Sequence, residues 1–419
     1  MSETSFVDRT LVVAWADRIE RCLEIHGVPA RVDGGRVTPR LVIFTVNPYQ
    51  ATPVKAIRRH SEDLAAALRV RSVRLTQGDY GEILVEVPHP NPQAIYLTRA
   101  LKVSEEEASG LNPMSALLGL DSRGNIIDVQ LDSPTIVHAL VAGTTGSGKT
   151  VLLQSMVLSL ALYNKPQNMK LALLGGGPSF RPFETLPHLL YDVSPFLDES
   201  AEVLADLVRI MDKRIADGYD RPHVVIVIDE LADLIVAVPG VQEKLRRILQ
   251  RGRNAGYHVV AATQKPTASV LGSLVTANFP ARITGRVTDA RYASIATGIP
   301  ESGAEQLEGT GDFLLVAGGE TVRFQACYVE EQEINRALQQ RGWTSKPHTK
   351  AVLSSVSEKK EKKSEHGLQE RLIEQGWEPS WNYSESCRAL GVKPEGAPWY
   401  EVKDAVNALR GNGSSSSTG

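Results

Sequence analysis

Apolar and polar positions change rhythm along the chain, and the changes divide it into unlike stretches. Up to about Ser104 two rhythms are mixed. Leu41-Val42-Ile43-Phe44-Thr45-Val46 has the apolar, β-branched make-up of a strand, whereas Ala56 to Leu68 spaces its apolar residues at the period of a helix. Ile83 to Val87 and Ala94 to Leu97 read as further strands, separated by the turn Pro88-His89-Pro90-Asn91-Pro92. The spacing predicts a small α+β domain over residues 1–107.

From about Gly110 to Glu330 short apolar runs alternate with longer amphipathic segments, the pattern of strands and crossover helices in a parallel sheet. The predicted strands are Ala139 to Ala142, Leu171 to Leu174, Val224 to Ile228, Val259 to Ala262, Arg282 to Arg286 and Phe313 to Val316. Helices are predicted over Lys149 to Leu162, Ser200 to Ile215, Val241 to Arg253 and Ala290 to Thr297. An α/β domain over residues 108–336 follows. Beyond it the chain turns polar, with the run Glu358-Lys359-Lys360-Glu361-Lys362-Lys363, so residues 337–366 read as a solvated tether. Residues 367–410 regain helical spacing around Trp377, Trp381 and Trp399 and read as a small helical module that could receive a protein partner. The ending GNGSSSSTG, residues 411–419, reads as a flexible tail.

Composition narrows this picture only at its margins. With 42% hydrophobic and 23% charged residues in 419, the chain is of the ordinary globular kind and long enough for two or three domains. A net charge of -3 leaves any nucleic-acid contact to local basic loops rather than a cationic surface. Cys22, Cys327 and Cys387 form no CxxC pair and lack histidine neighbours at zinc-ligand spacing, so they read as reduced thiols. The start lacks the basic and apolar regions of a signal peptide, and no run approaches the ~18 apolar residues of a membrane span. No membrane partner and a cytoplasmic location are expected.

The chemistry concentrates at three strand ends. Gly143-Thr144-Thr145-Gly146-Ser147-Gly148-Lys149-Thr150 fits GxxxxGK[ST] after a strand and before a helix, the setting that motif requires. Its glycines let backbone N–H groups turn toward phosphates, and the following helix adds positive potential. Lys149 is expected to reach the β- and γ-phosphates, with the Thr150 hydroxyl on Mg²⁺. Val224 to Ile228 runs into Asp229-Glu230, where Asp229 would hold Mg²⁺ through water and Glu230 would polarise the attacking water. Val259 to Ala262 ends at Thr263-Gln264, and Gln264 is placed to sense the γ-phosphate. The bland alternatives are a glycine-rich turn, two solvating acids and a polar turn; the order of the three elements argues against all of them together. Arg253 and Arg282 are candidates for an arginine supplied by a neighbouring subunit. The basic helix carrying Lys244, Arg246, Arg247, Arg251 and Arg253 reads equally as a solvated face or a subunit interface.

Together with His138 to Ala142, Leu231 to Leu234, Leu186 to Leu189, Ala277 to Arg282 and Gly309 to Asp312, these motifs resemble the FtsK/SpoIIIE family of DNA translocases. Val37-Thr38-Pro39-Arg40, Asp63-Leu64-Ala65 and Glu86-Val87-Pro88 resemble the small domain that precedes the motor in that family. The resemblance covers roughly Val37 to Ala326. It implies a RecA-like P-loop core that hydrolyses ATP with Mg²⁺, assembles as a homo-hexameric ring around double-stranded DNA, and touches DNA through Lys265. Gly175-Gly176-Gly177 stands where the family commonly has Asp-Pro-Lys, and Thr276 where it often has Lys. Residues 367–410 do not match the family's winged-helix DNA reader. A non-translocating, ATP-switched DNA-binding regulator is the alternative; a GTPase is disfavoured because no [NT]KxD sequence occurs.

Overall fold

A computed structural model of the chain describes residues 9–49, 53–78, 81–106, 112–175, 177–193, 196–264 and 278–346, with four isolated positions, Leu372, Glu378, Ser386 and Val406. The chain divides into two units, Met1–Lys350 and Ala351–Gly419. Lys265, Thr276 and, those four positions apart, the module expected over residues 367–410 lie outside the described residues.

The mixed rhythm at the start folds as expected, into α1 (Arg9–Ile25), β1 (Ala30–Val37), β2 (Leu41–Pro48), α2 (Val54–Arg58), α3 (Ser61–Leu68), β3 (Arg74–Gln77) and β4 (Ile83–Pro88). The strands form an antiparallel sheet in the order β1-β2-β4-β3. Trp15, Ile19, Cys22 and Leu23 recur at helical spacing on α1, so one face of that helix is apolar and buries against the sheet residues Phe44, Val46 and Val85. Ile19 and Leu23 are fully enclosed, a burial that stabilises by roughly 2 kcal/mol for each side chain. The single helix expected over Ala56 to Leu68 is two helices. The chain turns at Arg59 and His60, and His60 Nδ1 meets Asp63 Oδ2 at 2.7 Å. Cys22 does have a histidine beside it, since His26 follows one helical turn later with Nδ1 3.8 Å from the sulfur.

The larger layer comprises β5 (Ile95–Tyr96), α4 (Leu97–Glu106), β6 (Ser115–Asp121), β7 (Ile126–Gln130), β8 (His138–Ala142), α5 (Lys149–Tyr163), β9 (Met169–Leu174), α6 (Leu197–Asp217), β10 (His223–Ile228), α7 (Leu231–Ala237), α8 (Val241–Arg251), β11 (Tyr257–Thr263), β12 (Ala281–Thr284), α9 (Ala290–Thr297), β13 (Asp312–Ala317), β14 (Glu320–Tyr328) and α10 (Glu331–Gln340). Its sheet runs β7-β6-β14-β13-β12-β8-β11-β10-β9, with β5 on β14. The expected parallel sheet is the half from β12 to β9. From β13 to β7 the strands are antiparallel, a half that the alternation of strands and helices did not announce. In the parallel half Ala142 pairs with Thr263, while Ile228 pairs with Ala261 and Leu174, so all carboxyl ends reach one edge. α5 is apolar on every side and is buried accordingly, lying against β6 and β14.

Two expected boundaries move. Ile95, Leu97, Ala100 and Leu101 pack in the core of the larger layer, so that layer begins well before residue 107. At the other end Ile334, Ala337 and Leu338 are buried and Trp343 stacks edge-on against His188 at 5.2 Å. The tether therefore cannot begin at residue 337; apolar anchors hold the chain as far as Trp343. Among the described residues no helix is long and apolar enough to cross a membrane.

Candidate functional site

The loop between β8 and α5 sits at the edge where the parallel strands end. Gly148 has φ +99°, and a Cβ there would stand 3.0 Å from Gly311 N, so both conformation and space demand glycine. The loop is braced from the far side, because Thr310 N donates to Gly146 O at 3.0 Å and Gly311 N to Ser147 O at 2.8 Å. Gly285 supports it below: a Cβ there would lie 2.9 Å from Ser147 Cβ and 2.8 Å from Phe313 Cε1. Thr144 N and Oγ1 both donate to Arg286 O, at 2.8 and 3.1 Å. Lys149 is buried and its ammonium folds onto the loop, donating to Gly143 O at 2.6 Å and Thr144 O at 3.2 Å. Burial lowers its pKa, while Glu230 and Asp229 oppose the shift. A buried ammonium held at a cradle of backbone N–H groups is the donor set a polyphosphate needs.

The acids arrive on β10. Asp229 Oδ2 accepts a hydrogen bond from Ser179 Oγ at 2.9 Å. Glu230 Oε1 accepts from Thr263 Oγ1 at 2.9 Å, and Oε2 from Gln264 N at 3.0 Å. Burial raises the pKa of both carboxyls against these bonds and the pull of Lys149. Gln264 closes the circuit, since its Oε1 accepts from Thr145 Oγ1 at 2.9 Å. Lys149, Asp229, Glu230 and Gln264 are thus brought together with the residues of the loop. Asp229, with one oxygen tied to Ser179 and its charge raised in cost by burial, fits a divalent cation shared with the Thr150 hydroxyl at the start of α5.

The two expected arginines stand apart from this edge. Arg253 is exposed on the short 3₁₀ turn Gly252–Ala255 that leads into β11, roughly 20 Å from Gln264 at the rise of an extended strand. Arg282 lies within β12, opposite Leu140, and its Nε donates to Phe279 O at 3.3 Å. Neither can reach the loop of its own chain. The structure gives roles to residues that the sequence left without one. Ser179 is delivered by the 3₁₀ helix Gly177–Phe183 that follows the glycine run, Thr263 ends its strand against Glu230, and the loop Gly309–Gly311, noted in sequence only as part of the family resemblance, braces the phosphate cradle. Ser179 alone was not singled out, and a serine soon after Gly175 to Gly177 is its only local signal. Arg40 belongs to the motif Val37 to Arg40, which pointed to the small domain and not to this site. A cavity of about 490 Å³ is lined by Thr145, Lys149, Gln264, Val151, Tyr328 and Arg40 among others.

Over residues 100–217 and 199–268 the chain matches the family model described as FtsK/SpoIIIE family, and over residues 2–91 the one described as FtsK alpha domain. Together these matches take in more than half of the sequence. The chain belongs to the FtsK/SpoIIIE family. It is 31% identical over 349 residues to a DNA translocase FtsK of Staphylococcus epidermidis, covering 75% of this chain and 43% of that protein. It is likewise 31% identical over 359 residues to the DNA translocase SftA of Bacillus subtilis, covering 78% and 37%. The chain thus spans less than half the length of these curated relatives. Among solved structures it is similar to the cytoplasmic domain of the Type VII secretion ATPase EccC of Thermomonospora curvata, with a TM-score of 0.52, 25% identity, and 61% of this chain and 35% of that one covered. The pCW3 conjugation coupling protein TcpA, in its monomer form with ATPγS, shares the fold at a TM-score of 0.51 and 20% identity, with 78% and 99% covered.

Proposed function

We propose that this FtsK/SpoIIIE-family chain is an ATP hydrolase that moves double-stranded DNA, acting as a homo-hexameric ring. The observation that carries the reading is the hydrogen-bonded chain from Thr145 through Gln264 to Glu230, which ties the phosphate loop to the acid. A change at the γ-phosphate shifts Thr145 and Gln264, and through Gln264 N it reaches the Glu230 carboxylate. Lys149 leaves its carbonyl partners and neutralises the β- and γ-phosphates. Glu230, its pKa raised by burial, takes a proton from water as that water attacks the γ-phosphorus, and ADP and phosphate are released. Thr150 and Asp229 would hold Mg²⁺, which when bound neutralises charge on the phosphate oxygens. Arg253, exposed and remote from its own site, and Arg282 are the candidates to meet a neighbouring subunit's nucleotide. Lys265, which directly follows Gln264, serves as a DNA phosphate contact; such contacts carry no sequence information, so movement is sequence-independent.

Displacement of a third strand from duplex DNA tests the proposal. The full chain with ATP and magnesium should strip the strand, and Glu230→Gln should not. Displacement by the wild-type chain without nucleotide, or none with it, overturns the reading.

A further inference from the structure

The sequence motif Val37 to Arg40 has no role in the site built so far, yet the structure carries its arginine into the nucleotide cavity. Arg40 leaves the small domain just ahead of β2, and its Nη2 donates to Thr310 Oγ1 at 2.7 Å. It lines the same cavity as Gly146, Lys149 and Thr150. Among the described residues its guanidinium makes no ion pair, for the two nearby acids are engaged elsewhere. Asp312 is taken by both Arg323 Nε and Nη2, at 2.8 and 2.7 Å, and Glu308 Oε1 by Ser72 Oγ at 2.8 Å. A half-buried cation with no direct ion pair costs free energy; burial lowers the pKa of Arg40, and the charges of Asp312 and Glu308 offset this only in part. Thr310, the residue it grips, is β-branched yet has φ +46°, a backbone conformation such residues avoid. Observed strain of this kind, held between Gly146 O and an arginine, points to a contact used in function.

We propose that Arg40 is a nucleotide-binding residue supplied by the small domain, which pairs with the α- and β-phosphates of the nucleotide held by Gly143 to Thr150. The assignment rests on the nucleotide-binding reading above and deepens it. The direction follows from the hydrogen bonds. Thr145 and Gln264 are tied to Glu230, the group that would meet the γ-phosphate, whereas Arg40 lines the same cavity but is bonded to Thr310, outside that chain, which leaves the inner phosphates to it. A guanidinium there offers two parallel donors to phosphate oxygens. Because Arg40 also grips Thr310, and Thr310 and Gly311 brace the loop, nucleotide binding pulls the small domain and the phosphate cradle together.

The test compares the full chain with Arg40→Gln and Arg40→Lys in titrations with fluorescent ATP and ADP, using Lys149→Ala as the reference for loss of the cradle. Glutamine keeps a polar amide but is two bonds shorter and has no charge, whereas lysine keeps the charge. The expected result is at least tenfold weaker binding of both nucleotides by Arg40→Gln, partial recovery with Arg40→Lys, and a shallower dependence on KCl than in the wild type. Affinity within twofold of wild type overturns the assignment, and so does a loss confined to ATP, which would put the guanidinium at the γ-phosphate. If Arg40→Gln does not fold, Arg40→Lys decides: it must bind both nucleotides at least threefold more weakly, and unchanged affinity overturns the proposal. Should the wild-type chain itself bind neither nucleotide, the nucleotide reading fails before Arg40 is judged.

Discussion

Arg323 joins the small domain to the layer that carries the phosphate loop, and removing it should loosen both. On β14, Arg323 donates through Nε and Nη2 to Asp312 and through Nη1 to Glu86 of β4. All three side chains are at most 10% exposed. Burial works against the charge of Arg323, but Asp312 and Glu86 outweigh it and hold the guanidinium above its ordinary pKa. Arg323→Met keeps much of the side-chain volume, strips Asp312 of its ion pair and leaves Glu86 with Arg74 alone, whose Nη1 is 4.0 Å from Glu86 Oε2, in a place from which water is largely excluded. Breaking a buried ion pair from one side costs about 3–5 kcal/mol. For a unit of this size that corresponds to a fall in Tm of roughly 5 °C. Urea unfolding of the full chain, followed by tryptophan fluorescence, measures the loss. Adding Asp312→Asn removes the carboxylate left without an ion pair and should restore part of it, while Glu86 stays with Arg74. A loss below about 1 kcal/mol, or a double variant no more stable than Arg323→Met, refutes the claim that this cluster depends on charge balance.

Three further outcomes follow. Burial holds the folded-state pKa of Glu230 above its unfolded value, so its contribution to stability is present in acid and lost as pH rises through the folded value. Glu230→Gln should therefore raise the Tm of the nucleotide-free protein at pH 8, by a margin that shrinks below pH 5; a lower Tm at pH 8 contradicts this. Buried His138 and His188 have pKa values pushed down by burial to about 4. Their contribution is present above the ordinary histidine pKa and lost as pH falls, each costing about 3 kcal/mol by pH 4, so Tm should drop steeply between pH 6.5 and 4 and a flat profile would contradict it. Lys265→Ala should weaken duplex binding and reduce the salt slope of log K by about 1, and an unchanged slope removes Lys265 from the interface.

The parallel half of the sheet was legible because its strands are short, apolar on both faces and ended by polar or glycine residues: Val224 to Ile228 and Val259 to Ala262 fall inside β10 and β11. The helix expected over Ala290 to Thr297 matches α9, whose start is capped by Asp289 accepting from Tyr292 N. The antiparallel half was harder to see. β7 is only partly buried and β14 mixes Glu320, Thr321 and Arg323 with its apolar residues, so neither reads as a continuous strand. At the site, residues next to one another in sequence were found, as with Asp229 and Glu230. Contacts that depend on tertiary approach were not: Ser179 on Asp229 spans 50 positions and Arg40 on Thr310 spans 270. No local pattern encodes such a meeting, since it exists only once the small domain and the sheet have packed.

Phosphate release from ATP, with and without long duplex DNA, tests the central claim most directly when wild type and Glu230→Gln are compared side by side. The account requires wild-type turnover that rises several-fold with DNA, and a variant that retains bound ATP but releases no phosphate. Turnover indifferent to DNA, or a variant that hydrolyses ATP at the wild-type rate, would contradict it.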